Sequence, residues 1–118
     1  MATFIYLSTC ATCRRILSEL GGAERFTLQD VKTDPIGPAQ LDRLRDVAGS
    51  YEALFNRRSR QYRARGLHER ALSEEDYREQ ILAEYTFLKR PVVWTEAAVF
   101  VGNGKKTVAA AARALEAG

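Results

Sequence analysis

The chain has 118 residues, of which 46% are hydrophobic and 28% are charged, and its formal net charge is +3. This length suits one domain with a substantial core, and the composition excludes a disordered, collagenous or disulfide-stapled chain. No stretch approaches the roughly 18 consecutive apolar residues of a membrane span. The N-terminus also lacks the basic and long apolar regions of a secretory signal, so we expect a cytoplasmic protein with no membrane partner.

The first third of the chain predicts a strand, a helix and a second strand. Residues 3–7 form a short apolar, β-branched and aromatic run, which Ser8 and Thr9 interrupt ahead of a helical pattern. The glycine pair at 21–22 ends that helix, and residues 25–31 alternate as a second strand. This order predicts a βαβ unit.

Helical patterns fill the middle of the chain. Pro38 suits the first position of a helix that ends at Gly49, and residues 51–67 have a weak helical period. Ser73 and Asp76 have the spacing of a capping box at the start of another helix. The predicted buried stripe of that helix consists of Tyr77, Ile81, Leu82 and Tyr85.

The last part of the chain predicts a β-hairpin followed by a helix. Pro91 precedes a strand over residues 92–94, the chain turns after it, and a second strand covers residues 99–101. We expect Thr107 to cap the final helix. Because the strands of a hairpin are antiparallel, the fold class is α/β with a mixed sheet.

Two cysteines, Cys10 and Cys13, lie where the first strand meets the first helix. The loop that they would close is too small for an effective structural disulfide, and cytoplasmic thiols stay reduced. Free N–H groups and the helix dipole favour a thiolate at Cys10, and Arg14 and Arg15 add positive charge. We therefore predict that Cys10 attacks disulfides or other electrophiles and that Cys13 resolves the mixed disulfide.

Two other interpretations of the cysteine pair stay open at this point. Free cysteines are often small buried residues of an apolar core. The pair could also be half of a zinc site, but structural zinc requires four Cys or His ligands and His68 is the one other candidate. We expect no metal.

An arginine-rich segment covers residues 57–65. It contains Arg57, Arg58, Arg60, Arg63 and Arg65. Such a run is either a solvated face or an anion site, because guanidinium groups bind carboxylates and oxyanions bidentately. Glutathione, an arsenate-like oxyanion or an acidic partner surface would suit it, whereas a mildly basic domain gives little reason to expect direct DNA binding.

Several segments in this order together resemble the arsenate reductase (ArsC) and Spx family. They are residues 6–14 (YLSTCATCR), 54–63 (LFNRRSRQYR), 66–67 (GL), 88–93 (LKRPVV) and 101–102 (VG). The resemblance implies a single domain over residues 1–118 with a thioredoxin-like four-stranded mixed sheet flanked by helices. Residues 1–34 and 88–118 would form its core, and residues 38–86 a helical insertion between the βαβ and ββα halves.

The resemblance also implies roles for single residues. Cys10 matches the nucleophilic cysteine, and Arg90 matches an anion-holding arginine beside a cis-proline, here Pro91. Arg58, or else Arg57, matches the arginine that follows the Leu-Phe-Asn segment. The anion-binding candidates are therefore Arg58, Arg90, Arg57 and Arg14.

The function implied by the resemblance is thiol-disulfide oxidoreduction. The Cys10 thiolate would attack a disulfide or an oxyanion such as arsenate, and Cys13 or glutathione would resolve the product. No cofactor would be bound, the electron donor and partner would be glutathione or a small redox protein such as glutaredoxin or thioredoxin, and the chain would be a monomer. Gly102 stands where glutaredoxin-linked arsenate reductases carry a further arginine, which counts against arsenate turnover.

The alternative that the resemblance implies is a regulator. Spx-like proteins share the intact Cys-x-x-Cys motif, and in that case the pair would act as a redox sensor of a transcriptional regulator. Its partner would be RNA polymerase, through the alpha subunit.

Overall fold

A computed structural model describes residues 1–117, which divide into two compact units. The first unit comprises Met1–Pro35 and the chain from Arg90 onward, and the second comprises Ile36–Lys89. The helices are α1 (Ala11–Glu19), α2 (Pro38–Ala48), α3 (Arg60–Ala64), α4 (Glu74–Ala83) and α5 (Lys105–Ala117). No helix in the described part of the chain is long and apolar enough to cross a bilayer.

The first unit contains a four-stranded mixed sheet with the strand order β2-β1-β3-β4. The strands are β1 (Ala2–Tyr6), β2 (Phe26–Asp30), β3 (Val92–Trp94) and β4 (Val99–Val101). Strands β1 and β2 are parallel, whereas β3 is antiparallel to both β1 and β4. The predicted βαβ unit, hairpin and mixed sheet are therefore confirmed, and each strand ends within about a residue of its predicted bounds.

The core of the first unit lies between one face of this sheet and the helices α1 and α5. Its buried residues are Phe4, Ile16, Leu20, Phe26, Val93 and Ala111. The strands contribute alternate residues to this face, as the two-residue period of a strand requires. The apolar residues of α1 that pack here fix the orientation of its N-terminal end, where the two cysteines lie.

The start of α5 differs from the prediction. The helix begins at Lys105, because the N–H of Val108 donates to the carbonyl oxygen of Gly104 at 2.9 Å and closes the first helical turn there. Thr107 therefore lies inside the first turn, and its predicted role as the cap is wrong. The chain leaves the hairpin through Gly102, whose φ of +94° lies in the left-handed region that favours glycine.

In the second unit, α2 and α4 begin where the sequence predicts. Helix α2 starts at Pro38 and is followed by Gly49 in the left-handed conformation. The capping box of α4 is complete: the Asp76 N–H donates to Ser73 Oγ at 3.2 Å, and the Ser73 N–H donates to Asp76 Oδ2 at 2.9 Å. These hydrogen bonds satisfy donors that the helix itself leaves free.

The end of α4 is the second difference. The helix stops at Ala83 because Glu84 is extended, and the Glu84 carboxylate accepts a hydrogen bond from the N–H of Thr86 at 3.1 Å. Tyr85 therefore begins a short 3-10 turn, and its predicted place on the helical stripe is wrong. Tyr77 and Ile81 are buried as predicted, whereas Leu82 is only half-buried.

The weakly helical segment over residues 51–67 contains only α3 and two short 3-10 turns. Its apolar part pairs with the segment ahead of Arg90: the Asn56 N–H donates to the Phe87 carbonyl at 2.7 Å, and the Lys89 N–H donates to the Leu54 carbonyl at 2.8 Å. The Phe55 and Phe87 rings stack with centroids 5.0 Å apart. This pairing fixes the start of the arginine-rich segment.

Candidate active site

Cys10 is the N-cap residue of α1, at the end of a tight turn that follows β1. Its N–H donates to the Leu7 carbonyl at 3.0 Å, and its own carbonyl accepts from the Arg14 N–H at 3.1 Å. The backbone of Cys10 is extended, with φ −86° and ψ 115°. The side chain is partly exposed and lies at the end of the helix where the first N–H groups lack helical partners.

The environment of Cys10 favours its thiolate. Partial burial opposes ionisation, but hydrogen bonds from the Cys13 N–H, the Cys13 thiol and the Thr12 N–H outweigh it, and the positive charge of Arg90 adds to them. Together these groups hold the pKa of the Cys10 thiol below its usual value. A lowered thiol pKa raises the thiolate fraction at neutral pH, and the thiolate is the form that attacks disulfides.

The environment of Cys13 favours its protonated thiol instead. Only 1% of its surface is exposed. Burial raises the pKa of the Cys13 thiol to about 11, and the interaction with Cys10 acts in the same direction. A backbone hydrogen bond from Leu7 and the positive charge of Arg90 oppose this rise. At neutral pH Cys13 is therefore a protonated thiol that a large reagent cannot reach.

The first unit brings Arg90 and Pro91 to the same end of the sheet as Cys10. The peptide bond between Arg90 and Pro91 is cis, and the Pro91 carbonyl accepts a hydrogen bond from the Gly102 N–H at 2.8 Å. Arg90 lies close enough to the two cysteines for its charge to lower the pKa of both thiols. Cys10, Cys13 and Arg90 thus form one cluster in the first unit.

Arg14, a predicted anion-binding residue, contacts the turn before Cys10. Its Nη1 donates to the Ser8 carbonyl oxygen at 3.1 Å, so the guanidinium contacts the turn that precedes Cys10. Arg15 forms an exposed ion pair with Glu19, with Nε 3.4 Å from Oε1. Both side chains are exposed, and the charge that acts on Cys10 most strongly is that of Arg90.

Arg57 lies in the second unit, where it is held by its neighbours. Its Nη2 atom lies 2.6 Å from Glu52 Oε2 and donates to the Tyr77 hydroxyl oxygen at 2.8 Å. The guanidinium also lies over the Tyr77 ring, 5.6 Å from the centroid. These contacts engage Nη2 of Arg57 and favour a structural role for it.

The guanidinium of Arg58, unlike that of Arg57, has no partner among the described residues. Its backbone N–H donates to the Asn56 side-chain oxygen at 3.1 Å, and its side chain is exposed. Among the hydrogen bonds and ion pairs of residues 1–117, none involves the guanidinium of Arg58, Arg60 or Arg63. Of the two arginines that the sequence offers after the Leu-Phe-Asn segment, Arg58 is therefore the one whose guanidinium is open to a ligand.

The cysteine pair has no metal-ligand neighbours in the described part of the chain. Within residues 1–117, no three His, Cys, Asp or Glu side chains converge in a way that could hold a metal ion. His68 lies in the second unit beside Tyr62 and Glu69, with its ring 6.2 Å from the Tyr62 ring.

Comparison with known proteins shows the family. The model of the ArsC family matches residues 6–111, and the chain belongs to this family. The thioredoxin-like fold predicted from the resemblance is confirmed by the mixed sheet and by the solved structures that it matches. No curated protein matches the sequence.

Three solved structures illustrate the likeness. A Yersinia pestis protein, provisionally named an arsenate reductase, has a TM-score of 0.77 and 17% identity, covering 93% of this chain and 99% of that one. An arsenate reductase (ArsC) related protein from Brucella melitensis has a TM-score of 0.69 and 26% identity, covering 92% of each chain. An arsenate reductase from Vibrio cholerae has a TM-score of 0.69 and 18% identity, covering 90% and 91%.

Sequence reasoning missed one residue that contacts the turn before Cys10. The carboxylate of Asp30, at the end of β2, accepts hydrogen bonds from both the hydroxyl and the N–H of Ser8. The sequence contained a signal for this contact, because the carboxyl ends of parallel neighbouring strands lie at the same edge of a sheet. A polar residue that ends β2 is therefore expected near the residues that follow β1.

Proposed function

We propose that this protein is a thiol-disulfide oxidoreductase whose attacking group is the Cys10 thiolate. The observation that carries the proposal is the contrast between two neighbouring thiols. Cys10 is partly exposed and has a lowered pKa, whereas Cys13 is buried and has a pKa of about 11. An external disulfide therefore meets the more reactive of the two thiols first.

The reaction follows from this contrast. The Cys10 sulfur attacks one sulfur of the substrate disulfide, forming a mixed disulfide and releasing the other half of the substrate as a thiolate. Cys13 then loses its proton and attacks the Cys10 sulfur, which releases the second half. The substrate disulfide is thereby reduced to two thiols, and the cysteine pair is oxidised to a disulfide by the same two electrons.

Cys13 suits the second step rather than the first. A thiol held protonated inside the protein does not compete for external disulfides, yet it interacts with the Cys10 thiol that it must attack. Ionisation of Cys13 requires a base or a leaving thiolate that takes its proton, and the thiolate released in the first step is one such acceptor. Two further equivalents of an external thiol, such as glutathione, or a small dithiol protein would restore the reduced pair.

Arginine side chains favour an anionic substrate or donor. Arg90 lies beside the cysteine pair, and Arg58 has an open guanidinium in the second unit. Guanidinium groups bind carboxylates, which glutathione carries, and they also bind oxyanions such as arsenate. Disulfide reduction is the better supported activity, because Gly102 has a left-handed backbone and no side chain with which to hold an oxyanion.

The experiment is a reduction assay with a mixed disulfide between glutathione and a cysteine peptide. We expect wild-type protein to reduce it catalytically when glutathione is supplied, and Cys10→Ser to be inactive. Without added glutathione, wild-type protein should release both halves of one equivalent of substrate, whereas Cys13→Ser should stop at the mixed disulfide with Cys10. Arsenate, as a separate substrate in the same assay, measures the oxyanion activity. Equal rates for wild type and Cys10→Ser with the mixed disulfide would overturn the proposal.

A further inference from the structure

The turn between β1 and α1 is fastened to the neighbouring strand by one side chain. Strands β1 and β2 run parallel with Tyr6 opposite Asp30, so the turn that follows Tyr6 starts beside the Asp30 carboxylate. The Ser8 hydroxyl donates to Asp30 Oδ2 at 2.5 Å, and the Ser8 N–H donates to Asp30 Oδ1 at 3.3 Å. Ser8 precedes Cys10 by two residues.

The remaining polar group of Ser8 is also held. Its carbonyl oxygen accepts from Nη1 of Arg14, a residue of the first turn of α1, at 3.1 Å. The N–H, the hydroxyl and the carbonyl of Ser8 therefore all have partners, two of them on Asp30. A turn residue held at every polar group keeps one conformation, whereas exposed turns are usually among the more mobile parts of a fold.

Asp30 is itself fixed in place. Its Oδ1 accepts a further hydrogen bond from the Lys32 N–H at 3.2 Å, and its carbonyl oxygen accepts from the Asp34 N–H at 2.7 Å. On the other side, the Val31 N–H donates to the Tyr6 carbonyl at 2.9 Å and extends the pairing of the two strands past their ends. The carboxylate is thus a rigid anchor for the turn.

We propose that Asp30, acting through Ser8, is a positioning residue for the Cys10 thiol. The inference rests on the proposed function of Cys10 and adds the device that makes its thiolate available. The N–H groups of Thr12 and Cys13 stabilise that thiolate only while the sulfur is aligned with them, because hydrogen bonds weaken steeply as the angle at hydrogen departs from linearity. Ser8 and Asp30 hold the turn that sets this alignment.

Asp30 acts on the pKa of Cys10 in two ways, by holding the turn in position and through its own negative charge. Because these two effects have opposite signs, an experiment distinguishes them. Asp30 carries a negative charge at neutral pH, since the Ser8 hydrogen bond holds its pKa below the usual value. A nearby negative charge disfavours a thiolate, so loss of that charge alone would lower the pKa of Cys10. Loss of positioning would raise the pKa of Cys10 instead.

The experiment measures the alkylation rate of Cys10 against pH, with the modified cysteine identified by mass spectrometry. The variants are Ser8→Ala, which keeps the Asp30 charge, and Asp30→Ala, which removes it. Ser18→Ala, an exposed serine of α1, and Asp34→Ala, an exposed carboxylate just after β2, are the matched controls. We expect Ser8→Ala to raise the pKa of Cys10 and to slow its alkylation at pH 7 on the order of fivefold, as the loss of about one hydrogen bond predicts. Asp30→Ala should act in the same direction but by less, because the loss of its charge opposes the loss of positioning.

The double variant Ser8→Ala/Asp30→Ala completes the test. Because the two side chains form one unit, we expect the double variant to be no slower than the slower single variant. An unchanged or lowered pKa of Cys10 in Ser8→Ala, folded by circular dichroism, would overturn the positioning role. If Asp30→Ala does not fold, Ser8→Ala decides the question alone.

Failure of the proposed function gives a different result. In that case wild-type Cys10 itself has an ordinary pKa and reacts no faster than a cysteine in a short peptide. A reactive wild-type Cys10 that is indifferent to Ser8→Ala contradicts only the inference about Asp30.

Discussion

The thiols of Cys10 and Cys13 interact so that the pKa of Cys10 is lowered and the pKa of Cys13 is raised. A proton on Cys13 therefore stabilises the thiolate of Cys10, and ionisation of Cys13 removes that stabilisation. The first ionisation of the pair falls on the exposed residue and leaves the proton on the buried one. This arrangement supports the proposed roles, in which Cys10 attacks and Cys13 resolves.

The order of the two steps predicts which variant traps an intermediate. With oxidised glutathione and no other thiol, we expect Cys13→Ser to accumulate a glutathione adduct at Cys10, because no internal thiol can release it. Cys10→Ser should form little adduct, since Cys13 is buried and protonated. Intact-mass spectrometry measures both. Faster adduct formation in Cys10→Ser than in Cys13→Ser would reverse the assignment.

Burial of Cys13 predicts a loss of stability at high pH. Its pKa is about 11 in the folded protein against an ordinary value of 9.0. Below pH 9.0 the thiol is protonated in both the folded and the unfolded states. Between pH 9.0 and about 11 only the unfolded chain releases the proton, so the free energy of unfolding falls as the pH rises. The total loss should be on the order of 2 kcal/mol.

Comparison with Cys13→Ala isolates this contribution from other groups that titrate in the same range. Under reducing conditions, denaturant titrations should show that wild type loses its advantage over Cys13→Ala across this pH window. A difference between the two proteins that does not depend on pH would contradict the burial of an un-ionised thiol.

The backbone at Gly102 predicts a cost for an arginine at this position. A φ of +94° is strained for residues with a β-carbon, although the space around the position is open. We expect Gly102→Arg to lower the free energy of unfolding by about 1 kcal/mol. Gly102→Asn should cost less, since asparagine adopts left-handed conformations more readily. Equal costs for the two variants would show that the backbone is not the cause.

Substitutions of Arg57 and Arg58, the two adjacent arginines of the second unit, should have different effects on stability and on substrate binding. Arg57→Ala loses contacts with Glu52 and Tyr77, and we expect the free energy of unfolding to fall by on the order of 1 kcal/mol. Arg58→Ala removes an unengaged guanidinium, so stability should change by less than about 0.5 kcal/mol. If Arg58 binds the anionic substrate, this variant alone raises KM for the glutathione mixed disulfide. The reverse pattern would assign the roles the other way.

Much of the fold could be predicted from local patterns, because the strands and long helices have clear periods and clear ends. Pro38 and Gly49 bound α2, and Ser73 with Asp76 starts α4, each through a cap whose chemistry is local. The start of α5 was harder. Thr107 is a good cap residue by type, but the first turn closes on the carbonyl of Gly104, and a carbonyl acceptor leaves no mark in the sequence.

In the candidate site, too, local patterns predict some features and not others. Cys10 and Cys13 could be placed at the strand–helix junction from the strand and helix patterns on either side of them, and the resemblance added Arg90 as an anion-holding residue beside a cis-proline, Pro91. The link between Ser8 and Asp30 depends on two residues 22 positions apart in the sequence, brought together by parallel strand pairing. Local patterns also could not separate Arg57 from Arg58, since that distinction depends on where Glu52 and Tyr77 lie.

The measurement that tests the account most directly is the pKa of the Cys10 thiol in the wild-type protein. It is obtained from the initial rate of Cys10 alkylation by iodoacetamide as a function of pH, with Cys13 modification followed separately in the same samples. We expect a pKa for Cys10 below the ordinary 9.0, with Cys13 unmodified until the pH approaches about 11. A Cys10 pKa at or above 9.0, or modification of Cys13 ahead of Cys10, would contradict it.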